Sequence, residues 1–247
     1  MALFEAFGLA KRFGDQIVLQ DVNLSFEEGQ LAGIMGPNGA GKTTCFNVLT
    51  GRFKPDRGRV VFAGENVTGL APREIARKGI SRSFQVMNLF NDDTALDNVM
   101  IATPRVRRQG FNPWRDLGAD TDAQDEAAQV LARVGLRGRE HVQASSLSYG
   151  ERRALEIAVA LAARPRLLFL DEPTAGLGAD GTARLVELVA ELKRHVTIVI
   201  IEHDMRFLFA LADRVSVIHW GQVIAQGTPE ELRRNEWVRR SNLGALA

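Results

Sequence analysis

The sequence predicts an α/β protein: a parallel sheet covered by helices, with a helical lobe set into it. Three observations carry this reading. Short apolar segments alternate with helical periods through the last third of the chain. A glycine-rich loop, Gly36-Pro37-Asn38-Gly39-Ala40-Gly41-Lys42-Thr43-Thr44, is fed by an apolar strand and opens a helix. Between these regions, roughly Val86 to Leu161, the pattern is mainly helical, as expected of an inserted lobe.

Leu3 to Leu9 and Ile17 to Phe26 read as strands, the second alternating Val22, Leu24 and Phe26 with polar neighbours. Leu31 to Met35 is a short apolar strand, Lys42 to Thr50 a helix closed by Gly51, and Val60 to Phe62 a strand between glycines. Thr94 to Ala102 and Asp122 to Val134 are helical. Pro104 to Gly118, with Pro, Gly and four arginines, reads as a loop or irregular insert. A third helix covers Glu151 to Ala163. Then follow a strand at Leu167 to Leu170, a helix at Gly181 to Arg194, a strand at Val196 to Ile201 and a helix at Met205 to Ala212. Short strands at Val215 to His219 and Val223 to Ala225 precede a last helix, with Thr228 as cap, Pro229 in its first turn and Glu231 three residues after the cap.

The 247 residues fit one large domain or a core with a small lobe. Hydrophobic residues make up 45% and charged residues 25%, an ordinary globular mix. Lys and Arg total 31 against 30 Asp and Glu, a net charge of +1. No global field points to nucleic acid or anionic membrane as the main partner. The single cysteine, Cys45, excludes an intrachain disulfide, and it reads as a small buried hydrophobe. The first residues lack a signal-peptide pattern, and no window reaches the ~18 apolar residues of a membrane helix. The expectation is a cytosolic chain unless a partner brings it to a membrane.

Gly36-x-x-x-x-Gly41-Lys42-Thr43 matches a phosphate-binding P-loop. Glycines let the backbone wrap a phosphate chain, and the helix N-terminus adds positive potential. Lys42 can reach the β- and γ-phosphates, and Thr43 can offer its hydroxyl to Mg²⁺. Leu167 to Leu170 ends in Asp171 and Glu172, where carboxylates of an open α/β sheet face the ligand crevice. Asp171 suits a second-sphere Mg²⁺ contact and Glu172 the orientation or deprotonation of water. Alone, this pair also reads as a turn with helix-capping acids. His203 sits just past the next strand. In Leu147-Ser148-Tyr149-Gly150-Glu151, Ser148 reads as an ordinary N-cap or, with Gly150, as a second anion site at a helix start.

Taken in order, the P-loop, Gln85, Leu147 to Glu151, Asp171-Glu172 and His203 resemble the nucleotide-binding subunits of ATP-binding cassette (ABC) transporters. The resemblance covers nearly the whole chain. It implies a P-loop NTPase core of ABC type with an antiparallel β subdomain and an inserted α-helical subdomain. Residues 1–247 would form one nucleotide-binding domain, with about 1–85 and 162–247 as core and about 86–161 as helical lobe. It further implies ATP and Mg²⁺ as cofactors and a catalytic set of Glu172, His203, Gln85 and Lys42. Gln85 would sense Mg²⁺ and water and contact the membrane subunit. His203 would hold the γ-phosphate, Phe13 would stack on adenine, and Ser148 and Gly150 would close over the ATP of another subunit.

A narrower resemblance is to the larger ATPase of branched-chain amino acid importers. It rests on Thr50-Gly51, Phe84-Gln85, Leu89-Phe90, Tyr149 and Ile201 to Met205. It implies two permease subunits, a second ATPase (identical or different), an external solute-binding protein and no nucleic acid. The chain would lie at the cytoplasmic face of the inner membrane, held there by the permeases. The sequence departs from the family at four places. Glu151 replaces a glutamine, Ala154 and Val159 stand where arginine is frequent, and Gly178 stands where Asp or Asn is usual. Urea import and lipopolysaccharide export remain open as alternatives. A soluble ABC ATPase acting on nucleic acid or ribosomes usually carries a long coiled-coil insert or two cassettes, whereas Ser148 lies 106 positions after Lys42 here and there is one cassette.

Overall fold

The structure, a computed structural model, describes residues 2–83, 89–108, 120–236 and 238. Two sheets share one interior. Strands β1 (Ala2–Phe13) and β2 (Gln16–Glu27) pair antiparallel, and β4 (Arg57–Phe62) and β5 (Glu65–Asn66) extend them in the order β2-β1-β4-β5. The second sheet contains β3 (Leu31–Met35), β6 (Ile80–Arg82), β7 (Leu167–Asp171), β8 (Thr197–Glu202), β9 (Arg214–His219) and β10 (Gln222–Gly227). Its order is β10-β9-β3-β8-β7-β6, parallel throughout except for the antiparallel edge strand β10. Every residue of β3, β7 and β8 is buried, as expected when a parallel sheet is covered on both faces.

Helix α1 (Lys42–Leu49) packs in the core shared by the two sheets. Its Phe46 ring meets Phe169 of β7 edge-on at 5.9 Å, Phe169 meets Phe4 of β1 at 5.5 Å, and Phe4 stacks on Phe26 of β2 at 5.9 Å. This aromatic chain crosses from one sheet to the other, and truncating Phe169 to alanine would cost about 3–5 kcal/mol. The other face of the parallel sheet is covered by α7 (Ala179–Leu192) and α8 (Met205–Leu211), which bury Leu185, Val189, Phe207 and Leu208.

The helical part holds α3 (Ala95–Met100), α4 (Pro104–Arg108), α5 (Thr121–Arg133) and α6 (Tyr149–Ala162). Helices α3, α5 and α6 pack on one another through Ala95, Val99, Ala127, Leu131 and Leu155. Each start is capped: Thr94 with Asp97, Asp120 onto the Ala123 amide, and Ser148 with Glu151. The final helix, α9 (Pro229–Arg234), has the Thr228–Glu231 capping box that the sequence foretold.

The structure corrects several expectations. The segment expected to be a loop begins with helix α4, whose Arg105 forks onto the Asp120 carboxylate at 2.8 and 3.1 Å. Its residues 109–118 lie outside the described ones. Helix α7 starts at Ala179, two residues before Gly181, because Gly178 is extended and ends the preceding loop. Strand β1 runs on to Phe13 rather than stopping at Leu9. A short helix, α2 (Pro72–Arg77), and strands β5 and β6 were not foreseen. Pieces of two to six residues are too short to display a period.

Candidate active site

The phosphate loop leaves β3 at Gly36. A Cβ on Gly36 would lie 2.1 Å from the Ile218 carbonyl of β9, so this glycine is demanded by packing of the loop on the sheet. Gly41 stands at φ +98 as the N-cap of α1, with no side chain capping that helix. Its first amides are therefore left without a capping side chain, as at a helix start that takes an anion. Lys42 is 5% exposed, and its Nζ donates to the carbonyls of Gly36 at 2.8 Å and Pro37 at 3.0 Å. Burial lowers its proton affinity, while the carboxylates of Glu172, Glu202 and Asp171 pull it back up. Loop and acids thus lie within electrostatic reach of each other.

Strand order explains that proximity. β3 lies beside β8, and β8 beside β7, with Met35 opposite Glu202 and Asp171 opposite Ile201. Three adjacent parallel strands therefore end together and deliver the phosphate loop, His203 and the Asp171-Glu172 pair to one edge. His203 Nδ1 is 3.8 Å from Glu172 Oε1 and 3.5 Å from Glu202 Oε2. Asp171 is buried, and its carboxyl is pushed up to about 6, first by burial and then by the charge of Glu172, with Arg82 and Arg153 opposing.

Among the described residues no cluster of three or more His, Cys, Asp or Glu could hold a metal ion. The hard oxygens of Thr43 and Asp171 fit Mg²⁺, which commonly binds through one or two protein groups and the phosphates of its nucleotide. Thr43 is exposed at the start of α1 and Thr44 half-buried. Phe13 is 45% exposed at the end of β1, its ring edge-on to Phe53 at 5.3 Å. Cys45 is a fully buried thiol, pushed up to about 12 by burial, as its reading as a core residue requires.

The sequence-marked start of α6 makes its described bonds elsewhere than the phosphate loop. Ser148, exposed at the start of α6, accepts from the Glu151 amide at 3.3 Å, while the Glu151 carboxylate accepts from the Ser148 amide at 2.9 Å. Tyr149 Oη donates to the Ala175 carbonyl. Among the described residues, none of these bonds reaches the phosphate loop, and Gly150 is exposed beside them. The charge brought by Glu151 is met by Arg139 at 2.9 Å. Gln85 lies outside the described residues.

Sequence reasoning missed Glu202. It is 0% exposed and accepts from the Thr174 amide at 3.0 Å, from the Thr174 hydroxyl, and from the His203 and Asp204 amides at 2.9 and 3.3 Å. It thereby binds the loop after β7 to the loop after β8. The available signal was an acid closing an otherwise apolar strand. Arg153, buried in α6 against the backbone of residues 171–173, was also missed.

A P-loop beside a parallel-strand edge bearing Asp-Glu and His, together with an antiparallel sheet and a helical lobe, defines an ATPase of the ABC class. The family model described as ABC transporter matches residues 19–175, and the chain belongs to that family. It is 41% identical over 244 residues to the high-affinity branched-chain amino acid transport ATP-binding protein LivG of Salmonella typhimurium, covering 96% of each. Its fold is similar to MJ1267, an ATP-binding cassette of an ABC transporter, in its ADP conformation. The TM-score is 0.86 at 29% identity, over 99% of both chains. It is also similar to the ATP-binding cassette MJ0796 in a dimeric post-hydrolysis state bound to ADP and phosphate. Here the TM-score is 0.76 at 25% identity, over 92% of this chain and 98% of that one. The chain is accordingly an ATPase that binds adenine nucleotide.

Proposed function

We propose that the chain powers an importer of branched-chain or other hydrophobic amino acids, working as one of a pair of ATPases beneath two permease subunits. The reading rests on the common edge of β3, β8 and β7, where Lys42, Glu172 and His203 converge. Identity to LivG over nearly the full length supports the cargo. The partner ATPase is identical or different, and an external binding protein delivers solute to the permeases. No described helix is long and apolar enough to cross a membrane, so attachment to the inner membrane's cytoplasmic face runs through those permeases.

The whole chain acts as one nucleotide-binding domain, with about 86–161 as its helical lobe. Residues Gly36, Pro37, Asn38, Gly39, Ala40, Gly41, Lys42, Thr43 and Thr44 wrap the phosphates, and the Lys42 ammonium turns from its loop carbonyls to the β- and γ-oxygens. Phe13 offers its exposed face to adenine. Thr43, Gln85 and Asp171 would hold Mg²⁺, which would supply charge neutralisation on the phosphates. Glu172 orients the attacking water and draws its proton, while His203 holds the γ-phosphate. Ser148, bonded to Glu151, and the exposed Gly150 face the ATP of the second subunit. The dimeric state of MJ0796 supports that pairing.

Glu172→Gln keeps the side chain's shape and loses the base. Nucleotide affinity should stay within about threefold while turnover falls by at least ~10²-fold. Wild-type hydrolysis in that variant would remove Glu172 from its role and the reading with it.

A further inference from the structure

Arg153 is a buried cation that this mechanism does not use. It lies in the first turns of α6, 3% exposed, with Nη1 donating to Glu156 Oε2 at 2.5 Å. Its other donors leave the helix. Nη2 donates to the carbonyls of Asp171 at 2.9 Å and Glu172 at 2.8 Å, and Nε donates to that of Pro173 at 3.2 Å. One guanidinium thus takes three successive carbonyls just where β7 ends.

Glu172 stands in this turn at φ +43, a left-handed conformation that a side chain with a Cβ rarely adopts. Such a backbone persists only where its surroundings over-determine it. The Glu172 amide is held by the Ile201 carbonyl at 2.8 Å and its carbonyl by Arg153. Both peptide faces of the residue are therefore fixed, which fixes where its carboxylate points. The planar guanidinium presents its donors in one rigid fork, whereas a lysine ammonium is a single point that cannot span three carbonyls and Glu156.

We propose that Arg153 is a positioning residue for Glu172, and that it ties this chain's own hydrolytic carboxylate to the helix whose N-terminus serves the partner's ATP. The inference rests on the function proposed above. Helix α6 carries Ser148 and Gly150 at one end and, within its first turns, the clamp on residues 171–173. A rigid helix pressed on the partner's nucleotide transmits that load to the Glu172 turn. Each ATP site of the pair thus adjusts the water-orienting group of the other, with no contact between the two nucleotides.

The test uses the full-length chain with Arg153→Lys and with the double substitution Arg153→Met/Glu156→Met. The double variant removes the buried pair together and so strands neither charge against the other. ATP affinity, single-turnover hydrolysis and thermal midpoint are measured in the wild-type and Glu172→Gln backgrounds. Expected is a loss of hydrolysis of about 30-fold or more with ATP affinity within about threefold, and less than about twofold further loss in the Glu172→Gln background, since both changes act through one carboxylate. Equal fold losses in both backgrounds overturn the proposal, as does unchanged hydrolysis in Arg153→Lys. A loss that tracks a lowered midpoint and weakened ATP binding also overturns it, as general damage. If the double variant does not fold, the same cycle with Arg153→Lys decides. Normal turnover by Glu172→Gln alone would overturn the proposed function instead, which separates the two failures.

Discussion

His203 places its Nδ1 3.8 Å from Glu172 Oε1, across the boundary between two neighbouring parallel strands. The His203 side chain is 56% exposed, which leaves it open to a phosphate at this edge. His203→Ala should lower turnover by about 10²–10³-fold, the usual cost of one donor at developing charge. ATP affinity, read by equilibrium titration, should change far less. A variant that loses binding and turnover in equal measure would assign His203 to ground-state binding alone.

Asp171 makes stability depend on pH. Its folded carboxyl titrates near 6 rather than at the ordinary 3.8. The folded chain therefore holds the extra proton between these values, and stability falls as pH rises through the window and levels above it. The full effect is at most about 3 kcal/mol. On the proposed role Mg²⁺ would meet the ionised form, so the rise in thermal midpoint that Mg²⁺ adds to ADP should grow from pH 5 to pH 7. A rise of constant size across that range would contradict Asp171 as the group that meets the ion.

Two glycines of one loop should fail differently. Gly36→Ala drives a Cβ against the backbone carbonyl of Ile218, which cannot swing aside. Overpacking of this kind costs about 1–3 kcal/mol or more, and urea unfolding should register it without nucleotide present. Gly39→Ala enters open space but at φ +79, a strain of about 1–2 kcal/mol confined to the loop. Its fold should hold and its ATP affinity fall. Equal urea midpoints for the two variants would refute the distinction.

Gly178 caps α7 with extended backbone, without a side-chain bond and with open space where a Cβ would go. Gly178→Asp adds an acceptor at that cap and should raise stability by only a few tenths of a kcal/mol. On the paired reading it should act mainly between subunits. ATP-dependent pairing of the Glu172→Gln chain, followed by light scattering, should tighten when Gly178→Asp is added. Unchanged pairing would show that this departure from the family pattern is neutral at the interface.

Groups whose chemistry is contiguous were readable along the chain. The phosphate loop is nine consecutive residues between a strand and a helix, and Asp171-Glu172 and His203 each follow an apolar run directly. Ser148 was readable twice over. The structure shows the capping box with Glu151, and its exposure leaves the second reading open to another subunit. Arg153 and Glu202 were not readable, because their meaning lies in partners 18 to 28 residues away. A charge in an apolar helix face or strand announces burial without naming what compensates it.

Local pattern thus marked most of the strands and helices and the glycine loop proposed to hold phosphate, since periodicity and glycine content act within a few residues. Packing settled which strands become neighbours. The order β9-β3-β8-β7 follows neither the chain nor any pattern within a strand, because it is set by pairing between segments far apart in the sequence. That order brings Lys42, Asp171, Glu172 and His203 to one edge and leaves Ser148 facing outward. The glycine loop proposed to bind phosphate is a property of the local chain, and the edge where it meets Glu172 and His203 is a property of the assembled sheet.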